Sequence, residues 1–74
     1  MIGYIFTPFE ESEAEAIVAD EARMGNAVFY DWYFTMRTGM LELTIETYRD
    51  DEESLERLED LAEALEGKLQ VEYQ

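Results

Sequence analysis

Stretches dense in strand-forming apolar residues give way along this chain to stretches whose apolar positions recur at helical spacing, and short turn and cap signals set the boundaries. Met1 to Phe6 is apolar and rich in strand formers, and it stops at Thr7-Pro8. Thr7 suits the cap of a helix with proline at its first position, and Glu10, three residues on, completes a capping box. From there to Met24 the Glu and Ala run has high helix propensity, and Gly25-Asn26 is a helix-stop pair. On a helical projection Ala14, Ile17, Val18 and Met24 share an arc with Glu21 in its middle. Glu21 is therefore expected to reach out to water or to be paired, with Arg23 as the near candidate.

Ala27 to Arg37 and Met40 to Arg49 are two β-rich runs joined by Thr38-Gly39, a two-residue hairpin loop. The loop fixes the register. With Arg37 facing Met40, one face pairs Met36 with Leu41, Phe34 with Leu43, Trp32 with Ile45 and Tyr30 with Thr47, and this is the predicted core face. The opposite face carries Phe29 by Tyr48, Asp31 by Glu46, Tyr33 by Thr44 and Thr35 by Glu42.

Asp50-Asp51-Glu52-Glu53 opens a second helix, because either aspartate can cap it and carboxylates interact well with a helix N-terminus. Leu55, Leu58, Leu61, Ala62 and Leu65 form its apolar stripe, and Gly67 closes it. Lys68 to Gln74 alternates as a last strand, with Leu69, Val71 and Tyr73 on one side. The order strand, helix, strand, strand, helix, strand matches a ferredoxin-like α+β arrangement, a four-stranded antiparallel sheet with two helices on one face. Right-handed crossovers place the first and third strands centrally. The expected core is Trp32, Phe34, Leu43, Ile45, Leu55, Leu58, Leu61 and Leu65, in a single domain spanning residues 1–74.

Charge changes the picture more than size does. Nineteen acidic residues stand against 5 basic ones, for a formal net charge of -14. Such a surface repels phosphates, which argues against direct contact with nucleic acid or an anionic membrane and points to a cationic partner. The chain has no cysteine and no histidine, so thiolate chemistry, zinc-thiolate sites and the commonest general base are all missing. Ser12 and Ser54 have no activating neighbour, and the glycines form no phosphate-binding loop. No enzyme, cofactor or metal role is expected. No stretch approaches the roughly 18 apolar residues of a membrane span, and Met1-Ile2-Gly3-Tyr4 lacks a signal-peptide pattern, so a cytoplasmic location is expected.

Two features are candidates for partner binding. On the outer side of the second helix Glu52, Glu56, Glu59, Glu63 and Glu66 recur at spacings of three and four, with Asp60 beside them. These charges fall roughly 5 Å apart along the axis, against about 3.4 Å per phosphate along one DNA strand. Acids four apart on a helix repel by a few tenths of a kcal/mol per pair, so something other than helix stability favours the pattern. The expectation is an inhibitor whose stripe occupies the basic nucleic-acid-binding surface of a partner protein. A solvated face kept acidic for solubility, or adaptation to molar salt, is the competing account, and the single lysine fits the latter. The second feature is the open sheet face, with Phe29, Asp31, Tyr33, Glu46 and Tyr48, joined by first-strand residues such as Ile5. The alternative function is a structural or assembly module dimerising through this face. Asp31 opposite Glu46 is a like-charge pair, which suggests a bound cation or a partner's arginine.

The segments Leu61-Ala62-Glu63 and Val71-Glu72-Tyr73 loosely resemble the acidic inhibitors of ribonuclease E, which are small α+β proteins. In size and composition the chain also resembles the small, acidic, cysteine-free inhibitors that phages direct against restriction or CRISPR machinery, some of which mimic DNA. Neither resemblance carries a residue role across.

Overall fold

A computed structural model describes residues 1–24 and 28–73. The elements are β1 (Ile2–Thr7), α1 (Glu11–Met24), β2 (Phe29–Arg37), β3 (Met40–Thr47), α2 (Glu52–Ala64) and β4 (Lys68–Glu72). The strands form one antiparallel sheet in the order β2-β3-β1-β4, the ferredoxin-like α+β arrangement. β1 and β3 are central, as right-handed crossovers require. The helix stop at Gly25-Asn26 and the strand start at Ala27 lie outside the described residues. No described helix is long and apolar enough to cross a membrane.

The sheet is built around the β2–β3 hairpin, whose loop residues Thr38 and Gly39 both have positive φ, 49° and 81°. That backbone twist matches the twist of the flanking strands, which is why two residues are enough to turn the chain. The helices cover one face of the sheet. Ile5, Leu43 and Ile45 from the central strands, Ala14 and Val18 from α1, and Leu58, Leu61 and Leu65 beside them are all closed off from solvent. Trp32, Phe34 and Leu55, expected in the core, pack at its margin and keep part of their surface in water. For Trp32 and Phe34 the reason is position, since β2 is an edge strand.

Three expectations are corrected by the packing. Ile5 belongs to the core and not to the open face, because Gly3, Ile5 and Thr7 point toward the helices while Ile2, Tyr4 and Phe6 point away. Thr7 does not cap α1, which opens at Glu11 with the Glu10 carbonyl accepting from the Ala14 N–H at 2.9 Å. Instead the Thr7 hydroxyl accepts from the Phe9 N–H at 3.1 Å and donates to the Leu65 carbonyl at 2.7 Å, tying the end of β1 to the end of α2. Glu21 is paired, but with Arg57 of α2 at 3.5 Å, while Arg23 engages Asp20. The Arg57 guanidinium also donates to the Glu21 carbonyl at 3.3 Å, so a half-buried ion pair bridges the two helices.

The end of α2 is the tightest joint. Glu66 N–H donates to the Glu63 carbonyl and Gly67 N–H to the Ala62 carbonyl, at 3.0 and 2.9 Å, the bonding pattern of a Schellman cap. The left-handed position in that cap is held by Glu66, with φ 52°. Gly67 is required for another reason: a Cβ there would lie 2.2 Å from the Phe6 carbonyl oxygen. Gly67→Ala should therefore destabilise the fold by about 2 to 3 kcal/mol through a backbone clash. Glu66→Gly should stabilise it by about 0.5 to 1 kcal/mol by removing a side chain from a left-handed conformation. Urea unfolding of the two variants checks both signs.

Candidate functional site

The acidic side of α2 is fixed by what holds its other side down. Ser54, Leu58, Leu61 and Ala62 are buried, which turns Glu52, Glu56, Glu59, Asp60 and Glu63 to solvent. From Glu52 to Glu63 the row runs about 17 Å along the axis. Glu66 is exposed but lies beyond the helix, at the left-handed cap position, so it does not continue the row. The last turn of α2 contains no basic residue, so Asp60 and Glu63 sit where the helix dipole is least favourable to them.

Every arginine of the chain is engaged elsewhere. Arg23 pairs with Asp20, Arg37 with Glu42, Arg49 with Asp51 and Glu53, and Arg57 with Glu21. Among the described residues no cation pairs with Glu52, Glu56, Glu59, Asp60 or Glu63. The start of the helix is set by Asp51, whose carboxylate accepts from the Ser54 N–H at 2.9 Å. Those hydrogen bonds from Ser54, with help from the Arg49 charge, hold the Asp51 pKa below its ordinary value.

Beyond the loss of Ile5 to the core, the uncovered sheet face differs from the expected one at the start of β2. The predicted register holds from Arg37↔Met40 to Asp31↔Glu46, and a bulge then sets Phe29, not Tyr30, against Thr47. Phe29 is consequently buried in the core, and its expected place in a sheet-face interface is withdrawn. Tyr30 comes out instead, with its ring centroid 4.8 Å from that of Tyr48 and its hydroxyl donating to Glu46. The bulge thus brings Tyr30, Asp31, Glu46 and Tyr48 to one corner, while Tyr33 stands exposed farther along β2.

Toward the other edge, the Tyr4 hydroxyl donates to Glu72 at 3.2 Å. Both bonded tyrosines have their pKa raised: Tyr30 chiefly by its hydrogen bond to Glu46, Tyr4 chiefly by partial desolvation and then by the Glu72 charge. They remain neutral donors. Between them Glu42 is buried beside Arg37, whose Nε lies 3.6 Å from its carboxylate, in a polar recess of about 240 Å³ shared with Tyr4 and Gln70.

Tyr4, Tyr30, Glu42 and Glu72 were not singled out from sequence. Alternation in β1 could have pointed to Tyr4, but nothing local announces the bulge that exposes Tyr30. Among the described residues no three carboxylates converge where a metal ion could sit. No family model, curated protein or solved structure matches the chain, so the resemblances in composition and in two short segments have no matched family behind them.

The Asp51 cap gives a pH signature. Its carboxylate is more acidic when folded, so its contribution is present above the ordinary value of 3.8 and is lost as pH falls through the lowered one. Asp51→Ala should lower the urea midpoint at pH 7. The gap from the parent chain should close as pH drops below 3.8.

Proposed function

We propose that this chain is a non-enzymatic binding protein that inhibits a partner by laying the acidic side of α2 on the partner's basic nucleic-acid-binding surface. The observation that carries this reading is the row Glu52, Glu56, Glu59, Asp60 and Glu63, exposed together and unpaired while the arginines are all spent on other carboxylates. Lysine and arginine side chains that neutralise phosphates would meet carboxylates of the same sign and similar density, and charge-assisted hydrogen bonds would replace those to phosphate. The resemblance implies the manner of a phage anti-restriction or anti-CRISPR inhibitor that mimics nucleic acid. The place of action is the cytoplasm, a host's if the chain is viral. The net charge of -14 adds a long-range field that speeds encounter with a basic protein.

Dimerisation through the sheet face has less support. Asp31, Glu42, Glu46 and Glu72 share that face with only Arg37 and Lys68, so two copies would bring mostly carboxylates against carboxylates.

Two measurements test the reading. Circular dichroism from about 0.05 to 3 M sodium chloride should show a folded chain at the lowest salt; folding only at molar salt would make the acidity an adaptation to salt. Against nucleic-acid-binding proteins retained on heparin, the chain should displace labelled duplex DNA. Charge reversal at Glu56, Glu59 and Glu63 to lysine should weaken that displacement at least about tenfold, equivalent to about 1.4 kcal/mol. The circular dichroism spectrum should stay unchanged, and equal displacement by parent and variant would sink the idea.

A further inference from the structure

The bulge in β2 builds a corner with a chemistry distinct from that of α2, on the face of the sheet that the helices leave bare. Two tyrosine rings stand there with centroids 4.8 Å apart and planes tilted by 41°, and Tyr30 and Tyr48 are 47% and 64% exposed. Beside the rings Asp31 lies directly opposite Glu46, and Glu46 is held by the Tyr30 hydroxyl. Like charges directly opposite on paired strands destabilise a sheet. Among the described residues no cation relieves them: Arg49, next to Tyr48 in the chain, turns to Asp51 at 3.1 Å and Glu53 at 3.6 Å.

The corner asks for a group that is flat, cationic and rich in forked donors. A guanidinium meets all three conditions, since it stacks on an aromatic face and presents paired N–H groups to carboxylates. An ammonium is a strongly hydrated point charge with no plane to stack on the rings and no fork of donors to match the carboxylates. A divalent cation would need a cradle of oxygens, and no three carboxylates converge. A second copy of this chain would bring the same charges. The sheet face already holds one guanidinium of its own: the Arg37 Nε lies 3.6 Å from the carboxylate of Glu42.

We propose that Tyr30, Asp31, Glu46 and Tyr48 form a binding site for an arginine side chain of a partner protein. This site lies on the opposite face of the sheet from α2, so it stands or falls independently of the reading given to the acidic helix.

The test is a titration with acetyl-Gly-Arg-Gly-amide and its lysine counterpart, followed by the NMR ring signals of the tyrosines at about 0.3 M sodium chloride, where distant charges are screened. The Tyr30 and Tyr48 signals should move with the arginine peptide at a half-saturation at least threefold below that of the lysine peptide. Tyr48→Leu, which leaves the charge unchanged at an exposed position, should raise the arginine half-saturation at least threefold. Asp31→Asn should do the same while raising the thermal midpoint, because it removes the like-charge pair. The lysine substitutions at Glu56, Glu59 and Glu63 should leave the ring shifts in place. Equal response to the two peptides, or no effect of Tyr48→Leu, would overturn the assignment. So would ring signals that move with protein concentration alone, which would mark a second copy as the occupant.

Discussion

Leu58, Leu61 and Leu65 hold α2 onto the sheet, closed off from solvent in one cluster with Ile5, Leu43 and Ile45. Each such burial contributes about 2 kcal/mol at most, and the three together outweigh the repulsion among the acids on the other side of the helix. The same contact decides where those acids point. A helix pinned by its apolar stripe has no freedom to rotate, so Glu52, Glu56, Glu59 and Glu63 are directed outward by residues they never touch. Both ends of α2 reinforce that phase. Asp51 fixes where it begins, and the Thr7 hydroxyl, the Schellman cap and the close approach of Gly67 to Phe6 fix where it ends.

Two helices on one face leave the other face of four strands without cover, and its composition answers that constraint. A row of leucines there would expose an apolar patch. The face instead sets tyrosines and carboxylates around the outward Ile2 and Phe6 of β1, and two of the tyrosines donate to neighbouring glutamates. Tyrosine covers the strands with ring area while its hydroxyl stays wet or bonded. The resulting surface is stable in water yet rich in groups that cations recognise.

How far the sequence could be read follows from the same physics. The hairpin register was legible because two residues with positive φ allow one geometry, and the pairing counted back from Thr38-Gly39 holds for seven consecutive pairs, Arg37↔Met40 to Asp31↔Glu46. It fails at the bulge because Val28, Phe29 and Tyr30 are consecutive apolar residues, and alternation cannot say which of them is the extra one. In β1 the outward residues Ile2, Tyr4 and Phe6 are more apolar than the inward Gly3, Ile5 and Thr7, so hydrophobicity alone gives the wrong face. The inward set is chosen by closeness, with Gly3 lying under Leu58. Glu21 could be flagged as awkward in its helix, but its partner Arg57 is 36 residues away, and only the packed structure brings them together. The α2 stripe was readable except at Glu66, where the helix had already ended.

The placement of the few positive charges explains how so acidic a chain can still present organised surfaces. Three of the four arginines sit where elements meet: Arg57 bridges the helices, Arg37 covers Glu42 on the sheet and Arg49 sits at the start of α2, while Arg23 pairs with Asp20 within α1. Those three neutralise carboxylates at the joints. Among the described residues, charge without an ion pair is left along the start of α1, at Glu10, Glu11, Glu13 and Glu15, as well as on two further surfaces, the outer side of α2 and the bulge corner. These two surfaces act over different ranges. The helix row carries carboxylates on flexible stems, so its pull is electrostatic and decays over a Debye length of about 8 Å at physiological salt. The corner is held by strand pairing and a tyrosine hydrogen bond, so its contacts are short, oriented and less sensitive to salt. A basic partner would be drawn in by the first kind of surface and oriented by the second.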